Sequence, residues 1–366
     1  MARKLKSDRV LFIATILLVG LGIVMVYSAS AVVMMERYQR PYLFLTKQAM
    51  WAALGVAALG LIMRFDYHHY RQPAVIWTCL GIVGLGLVAV LFSQPVGGAK
   101  RWFAFSGFGI QPSELAKLSA IFFIAAMLER RMHRINDVGY ALLPIGIVVG
   151  ALVTLILLEP DFGTSASLVL IAAVMVFAAG VHYRYIAGVA LCALPIVTFL
   201  VLGTAYRRQR VLTFLDPWRD PRDAGYQIIQ SFYAIGAGGV QGKGVMNGVQ
   251  KLFYLPDSHT DFIYSVIAEE LGLIGATLVV LCFATIAWRG VRVALRAPDS
   301  LGAFLALGIT TMIAAQAFFN ISVALGLLPT KGIPLPFVSF GGSSLLVNLL
   351  GMGILLNVSQ HASTSA

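Results

Sequence analysis

The sequence predicts an all-α integral membrane protein. It is a polytopic bundle of about ten transmembrane helices, with one large extracytoplasmic loop between the seventh and the eighth. Three observations predict this class. Hydrophobic residues make up 59% of the 366 and charged residues only 12%, against about 45–50% and about 25% in a soluble globular domain. Apolar runs of spanning length recur along the whole chain. Lysine and arginine fall unevenly between the loops that separate those runs. Together these features exclude an ordinary soluble enzyme, a disordered chain and a nucleic-acid module, despite a net charge of +11.

A helical span takes about 20 mostly apolar residues. The candidates run over 10–32, 43–63, 74–93, 113–129, 138–158, 163–181, 185–204, 262–288, 301–327 and 337–358. The fourth and sixth are short or interrupted by polar residues. The first is too long for a cleavable signal peptide and lacks a small-residue cleavage site, so it reads as a retained helix. The runs leave no room for a separate soluble domain, which makes 1–366 one membrane domain. Thirteen basic residues, among them Arg3, Lys4, Lys6, Arg64, Arg130, Arg184 and Arg289, fall on one side of this arrangement. Six, including Arg101 and Lys331, fall in the short loops of the other. The positive-inside rule then places both termini in the cytoplasm. The basic balance reflects topology and acidic lipid headgroups rather than nucleic acid. Residues 205–261 form an outside loop far longer than the rest, and loops of that length are uncommon unless functional. Cys79, Cys192 and Cys282 sit in apolar runs without a CxxC or a nearby His, which reads as three small buried hydrophobes.

Ionisable groups at membrane depth are costly, so each is a candidate. Gln111-Pro112-Ser113-Glu114 opens the fourth span, and Glu114 and Lys117 share a helix face. They read either as a self-satisfied ion pair or as a lysine aimed at an anionic substrate or a partner carboxylate. Glu159-Pro160-Asp161 joins the fifth and sixth spans, where Asp161 suits a helix N-terminus. The sharpest signal is Pro256-Asp257-Ser258-His259-Thr260-Asp261, which leads straight into the eighth span. A carboxylate at that boundary is partly desolvated yet within reach of a substrate, as a general base must be. An acid that merely offsets the helix dipole fits equally. On a continuous helix Glu269 lies about 80° from Asp261 and Glu270 about opposite, so Glu269 is the better member of a shared polar seam. Arg207, Arg208 and Arg210 suit phosphate recognition or a lipid surface. The stretch Gly236–Gly244 resembles a phosphate loop but has Ala237 and Gly244 where that motif needs glycine and Ser or Thr. Flexible or closely packed backbone is the better reading, with Lys243 as an anion contact. The prolines and glycines of 330–344 argue for an irregular, re-entrant segment buried beside the other spans.

These motifs carry a resemblance. GAKRWFAF followed by QPSELAKL, then EPDFGT, YRRQRVLTFLDPW, GYQIIQS, HTDFIYSVIAEELG and LLPTKGIPLPFVSFGGSSLL together resemble the SEDS family (shape, elongation, division and sporulation). The likeness runs from about residue 97 to 350. Asp216-Pro217-Trp218, Val249-Gln250-Lys251 and Leu328–Gly332 resemble its cell-division branch more than its elongation branch. The resemblance implies ten helices and a peptidoglycan glycosyltransferase that polymerises lipid II, the undecaprenyl-pyrophosphate-linked disaccharide peptide. It implies a class B penicillin-binding protein and other divisome membrane proteins as partners, at the septum of a bacterial cytoplasmic membrane. Catalytic importance falls on Asp261, and substrate handling on Arg101 and Lys117.

The expected mechanism joins both lines. Asp261 accepts the proton of an attacking sugar hydroxyl or orients it. Lys117 and Arg101, with Lys243 or Arg210, neutralise the departing pyrophosphate. Glu114, His259, Thr260 and Glu269 complete the candidate substrate site. A Lys117–Asp261 contact is expected, on condition that the fourth span packs against the eighth. A divalent cation at the pyrophosphate stays open, without a dedicated carboxylate cage in the sequence. The alternatives are a lipid II flippase, an elongation-type polymerase and a non-catalytic scaffold.

Overall fold

The structure is a computed structural model that describes residues 7–94, 100–105, 108–203, 205–223, 225–330 and 332–362. Arg3, Lys4, Lys6 and Lys331 of the charge count, Gly98 and Ala99 of the GAKRW motif, and the side chain of Arg207 lie outside the described residues. The helices are α1 (Arg9–Tyr38), α2 (Leu43–Ile62), α3 (Pro73–Val90), α4 (Pro112–Arg131), α5 (Leu143–Leu158), α6 (Phe162–Ala178), α7 (Tyr183–Leu202), α8 (Ala205–Leu215), α9 (Tyr226–Gly238), α10 (Ile263–Arg296), α11 (Ser300–Ala324) and α12 (Gly342–His361). Each of the ten apolar segments falls on a helix. Among the described residues, seven stretches are long and apolar enough to cross a membrane: α1, α2, α3, Val138–Leu158, α10, α11 and α12. α6 is shorter, at 17 residues, and α4 carries Glu114, Lys117, Glu129, Arg130 and Arg131.

Local chemistry sets the helix ends. Asp8 caps α1 by accepting from the Val10 and Leu11 amides, and Asp299 caps α11 through Gly302. α4 begins at Pro112, a first-turn position where the missing N–H costs nothing. α4, α11 and α12 are buried along most of their length and form the centre of the bundle. α4 packs on α3, α6 and α11, α12 on α2 and α11, and α10 on α1, α9 and α11. α11 is thus a neighbour that α4 and α10 share, and α12 touches both as well.

Four features differ from the sequence reading. A short antiparallel hairpin, β1 (Phe103–Phe105) with β2 (Phe108–Ile110), precedes α4. The long loop contains two helices, α8 and α9. α9 is fastened by the Ser231 hydroxyl, 2.6 Å from both the Ser265 hydroxyl and the Ala324 carbonyl. α12 starts at Gly342 rather than 337, because 332–341 is irregular but buried, with Leu335, Phe337 and Val338 almost fully enclosed. Finally, α10 is broken at Gly272, whose φ of 66° lies outside helical geometry.

That break explains the glycine-rich stretch. The Lys243 and Gly244 amides donate to the Glu269 and Glu270 carbonyls, while the Leu273 and Ile274 amides donate to Gly239 and Val240. The loop backbone therefore satisfies groups the interrupted helix leaves open. A Cβ at Gly272 would stand 2.3 Å from the Gly242 nitrogen, and one at Gly242 would stand 2.2 Å from the Glu270 carbonyl oxygen. Glycine is required here for close packing, not for binding phosphate.

Candidate active site

Asp261 lies in a turn just ahead of α10, not within it. Three successive carbonyls of this turn are held from outside. His259 accepts from the Phe340 amide at 2.9 Å. Thr260 accepts from the Ser339 hydroxyl at 2.6 Å. Asp261 accepts from the Asn320 side-chain amide at 2.8 Å. Asn320 also donates to the Ile333 carbonyl at 2.8 Å, and the Ser339 carbonyl accepts from Gln48 at 3.2 Å. One turn is therefore fixed to α11 and to the buried segment before α12, which Gln48 of α2 holds in its turn. Gly332 completes the wall, since a Cβ there would come within 3.1 Å of an Asp261 carboxylate oxygen.

The Asp261 carboxylate itself has no hydrogen bond or ion pair among the described residues. Burial, with Asp257 and Asp161 adding negative charge, pushes it up to about 7, while Arg210 and Arg101 pull the other way. An acid poised there is half ionised near neutral pH, which suits a general base. Arg210, on α8, donates to the Thr330 carbonyl at 3.0 Å. Arg101, just ahead of β1, donates to the Glu159 carbonyl at 3.0 Å and the Pro160 carbonyl at 2.5 Å. Both guanidiniums donate to main-chain oxygens.

The remaining candidates fall elsewhere. His259 lies against Phe44 and Phe340, with ring centroids 5.0 and 6.0 Å away, and burial holds it below the ordinary histidine range. The Thr260 hydroxyl turns back to the Asp257 carbonyl. Lys117 does not reach Asp261. Its ammonium pairs with Glu114 at 2.8 Å, and the two side chains are 1% and 3% exposed. The reason is packing: α4 faces α11 rather than α10, and the partner one turn away on the same helix is already in reach.

Glu269 and Lys243 pair with each other at 2.8 Å, and Glu269 also accepts from the Val249 and Gln250 amides. All its partners are in the loop, so it shares no polar seam with Asp261. The helical-wheel angle fails because Asp261 precedes the helix. Glu270 pairs with Lys251 at 2.5 Å and accepts from the Ser28 hydroxyl and the Met246 amide. Lys251, Ser28, Asn320 and Ser339 were missed as site-forming residues. Only Lys251 carried a signal, as a cation near an apolar run. The other three act through partners tens to hundreds of residues away. Among the described residues no group of three His, Cys, Asp or Glu side chains could hold a metal ion.

The family described as "Cell cycle protein", which groups FtsW, RodA and SpoVE, matches residues 8–364. The chain belongs to this family. A relative from Geobacter metallireducens, named probable peptidoglycan glycosyltransferase FtsW, is 45% identical over 97% of this chain and 95% of its own. Another of that name, from Geobacter sp. strain M18, is 43% identical over 98% of each. Stage V sporulation protein E of Bacillus subtilis is 42% identical over 98% of this chain and 99% of its own. Among solved structures, a chain from a peptidoglycan synthase complex, described as coordinating polymerization and crosslinking, superposes with a TM-score of 0.78. It is 31% identical and covers 96% of this chain and 97% of its own. The rod-shape-determining protein RodA of Thermus thermophilus superposes at 0.72, with 26% identity over 98% of each. For this FtsW/RodA/SpoVE chain, membership and apolar helices together make it an integral membrane protein.

Proposed function

We propose that this chain is a peptidoglycan glycosyltransferase of the division type. It polymerises lipid II at the outer face of a bacterial cytoplasmic membrane. The observation that carries this reading is the Asp261 carboxylate, on a rigidly held turn, buried and acted on by Arg101 and Arg210. The FtsW relatives and the synthase-complex neighbour support the reaction class.

In the reaction a sugar hydroxyl of one lipid-linked unit attacks the anomeric carbon of another. The new C–O bond forms as the bond to pyrophosphate breaks, and undecaprenyl pyrophosphate leaves with the electron pair. Asp261 takes the hydroxyl proton. Arg101 and Arg210 stabilise charge on the leaving pyrophosphate, because preset cations cost no reorganisation when that charge develops. In this reading the chain crosses ten times, with both termini in the cytoplasm by the lysine and arginine bias and the 205–261 loop outside, at the septum. A class B penicillin-binding protein then cross-links the product.

The flippase alternative needs ionisable groups along a path. Glu269 and Glu270 are instead closed by Lys243 and Lys251, which favours chemistry at one face. The test is polymerisation of purified lipid II by the chain with a candidate class B partner. Glycan strands with release of undecaprenyl pyrophosphate are expected. Lipid II translocation in vesicles without any polymer would overturn the reading.

A further inference from the structure

Glu159 is an acid near the site that the mechanism above leaves unused. Its residue is fully buried, and neither carboxylate oxygen has a hydrogen-bond partner among the described residues. A buried acceptor pair left open is costly for a carboxylate and much less so for the neutral acid. Its neighbour Asp161 is in the opposite condition. Asp161 accepts from the Gln111 side chain at 3.0 Å, the Thr164 hydroxyl at 2.9 Å and the Thr164 amide at 3.1 Å. Two acids two residues apart thus sit in contrasting surroundings. Arg101 links these acids to Asp261. Both of its hydrogen bonds go to the main chain of Glu159 and Pro160, and its charge acts on Glu159 and Asp261 alike.

We propose that Glu159 is a proton-controlled positioning residue for Arg101. As the neutral acid it leaves the guanidinium charge directed at the Asp261 site; as the carboxylate it draws that charge to itself. The inference rests on the glycosyltransferase reading. Burial first, and then the nearby Asp161, push Glu159 up to about 8, with Arg101 opposing. The charged groups that act on it are therefore Asp161, at the start of α6, and Arg101, ahead of β1. Ionisation releases one proton to solvent and leaves a buried anion whose available cation is Arg101. Pairing would stabilise that anion and remove a fixed positive charge from the leaving pyrophosphate. Activity then falls as pH rises through the Glu159 ionisation.

The experiment is the pH profile of lipid II polymerisation by the full chain with its class B partner, for the wild type and Glu159→Gln. The wild type is expected to lose roughly tenfold in rate above about pH 8, and the glutamine variant, which fixes the neutral state, to lose that alkaline decline. Superimposed alkaline limbs, or an equal loss at every pH, would overturn the inference while leaving the glycosyltransferase reading intact. Absence of polymer from the wild type at every pH would count against the reading itself. Infrared spectroscopy then decides the inference without turnover. A protonated-carboxyl band at neutral pH that disappears in Glu159→Gln supports it, and identical spectra overturn it.

Discussion

Asp261 and the pair Glu269–Glu270 are separated by one short helical stretch, yet they are built on opposite principles. Each glutamate is fully buried and closed by a lysine, with main-chain amides supplying further hydrogen bonds. Asp261 has no cation in contact among the described residues. Its backbone is held at three consecutive carbonyls while its carboxylate is left open. The contrast separates an acid that maintains the fold from one kept available for chemistry. Paired charge fixes the broken helix α10 against the loop. A carboxylate left open among the described residues, on an equally fixed backbone, is available for proton transfer.

Replacing the open acid should have the largest effect on turnover. Asp261→Asn is expected to lower the polymerisation rate by about 10²–10⁴-fold, the usual weight of a general base, with thermal unfolding in detergent unchanged. Unpairing a closed acid should act on stability instead. Lys251→Ala leaves Glu270 buried without its cation, a loss of about 3–5 kcal/mol, and the thermal midpoint should fall accordingly. Asn320→Ala tests the backbone clamp. It strips two buried carbonyls of a donor and should cost about 1–3 kcal/mol, read mainly as reduced kcat with KM for lipid II little changed. Lys243→Ala should have the smallest effect, about 1 kcal/mol or less of stability. Lys243 is 34% exposed, and Glu269 retains its amide donors. A Lys243 variant as inactive as Asp261→Asn would erase the distinction between the two regions.

Much of this fold was legible because long apolar runs are a local signal. All ten fall on helices, and Asp261 stood out as an acid immediately before one of them. What escaped was long-range. The sequence shows α9 only as part of the long loop, although Ile228, Ile229 and Ala234 give it a buried face. The sequence reads the glycine-rich stretch as flexible or closely packed backbone; that it packs, and on the Gly272 break, depends on an approach that only the folded chain makes. Ser28 reaches Glu270 across 242 positions, a pairing that no spacing rule contains. Lys117 was directed at Asp261 because its helix neighbours were unknown. The structure gives it Glu114, the nearer of the two partners the sequence offered.

The most direct test of the central assignment is the acid limb of the wild-type polymerisation rate at saturating lipid II. Asp261 must be ionised to accept a proton, and it is held up to about 7. The rate should therefore fall about tenfold for each unit of pH below that value. A profile that stays flat well below pH 7 would contradict a catalytic role for this carboxylate as base.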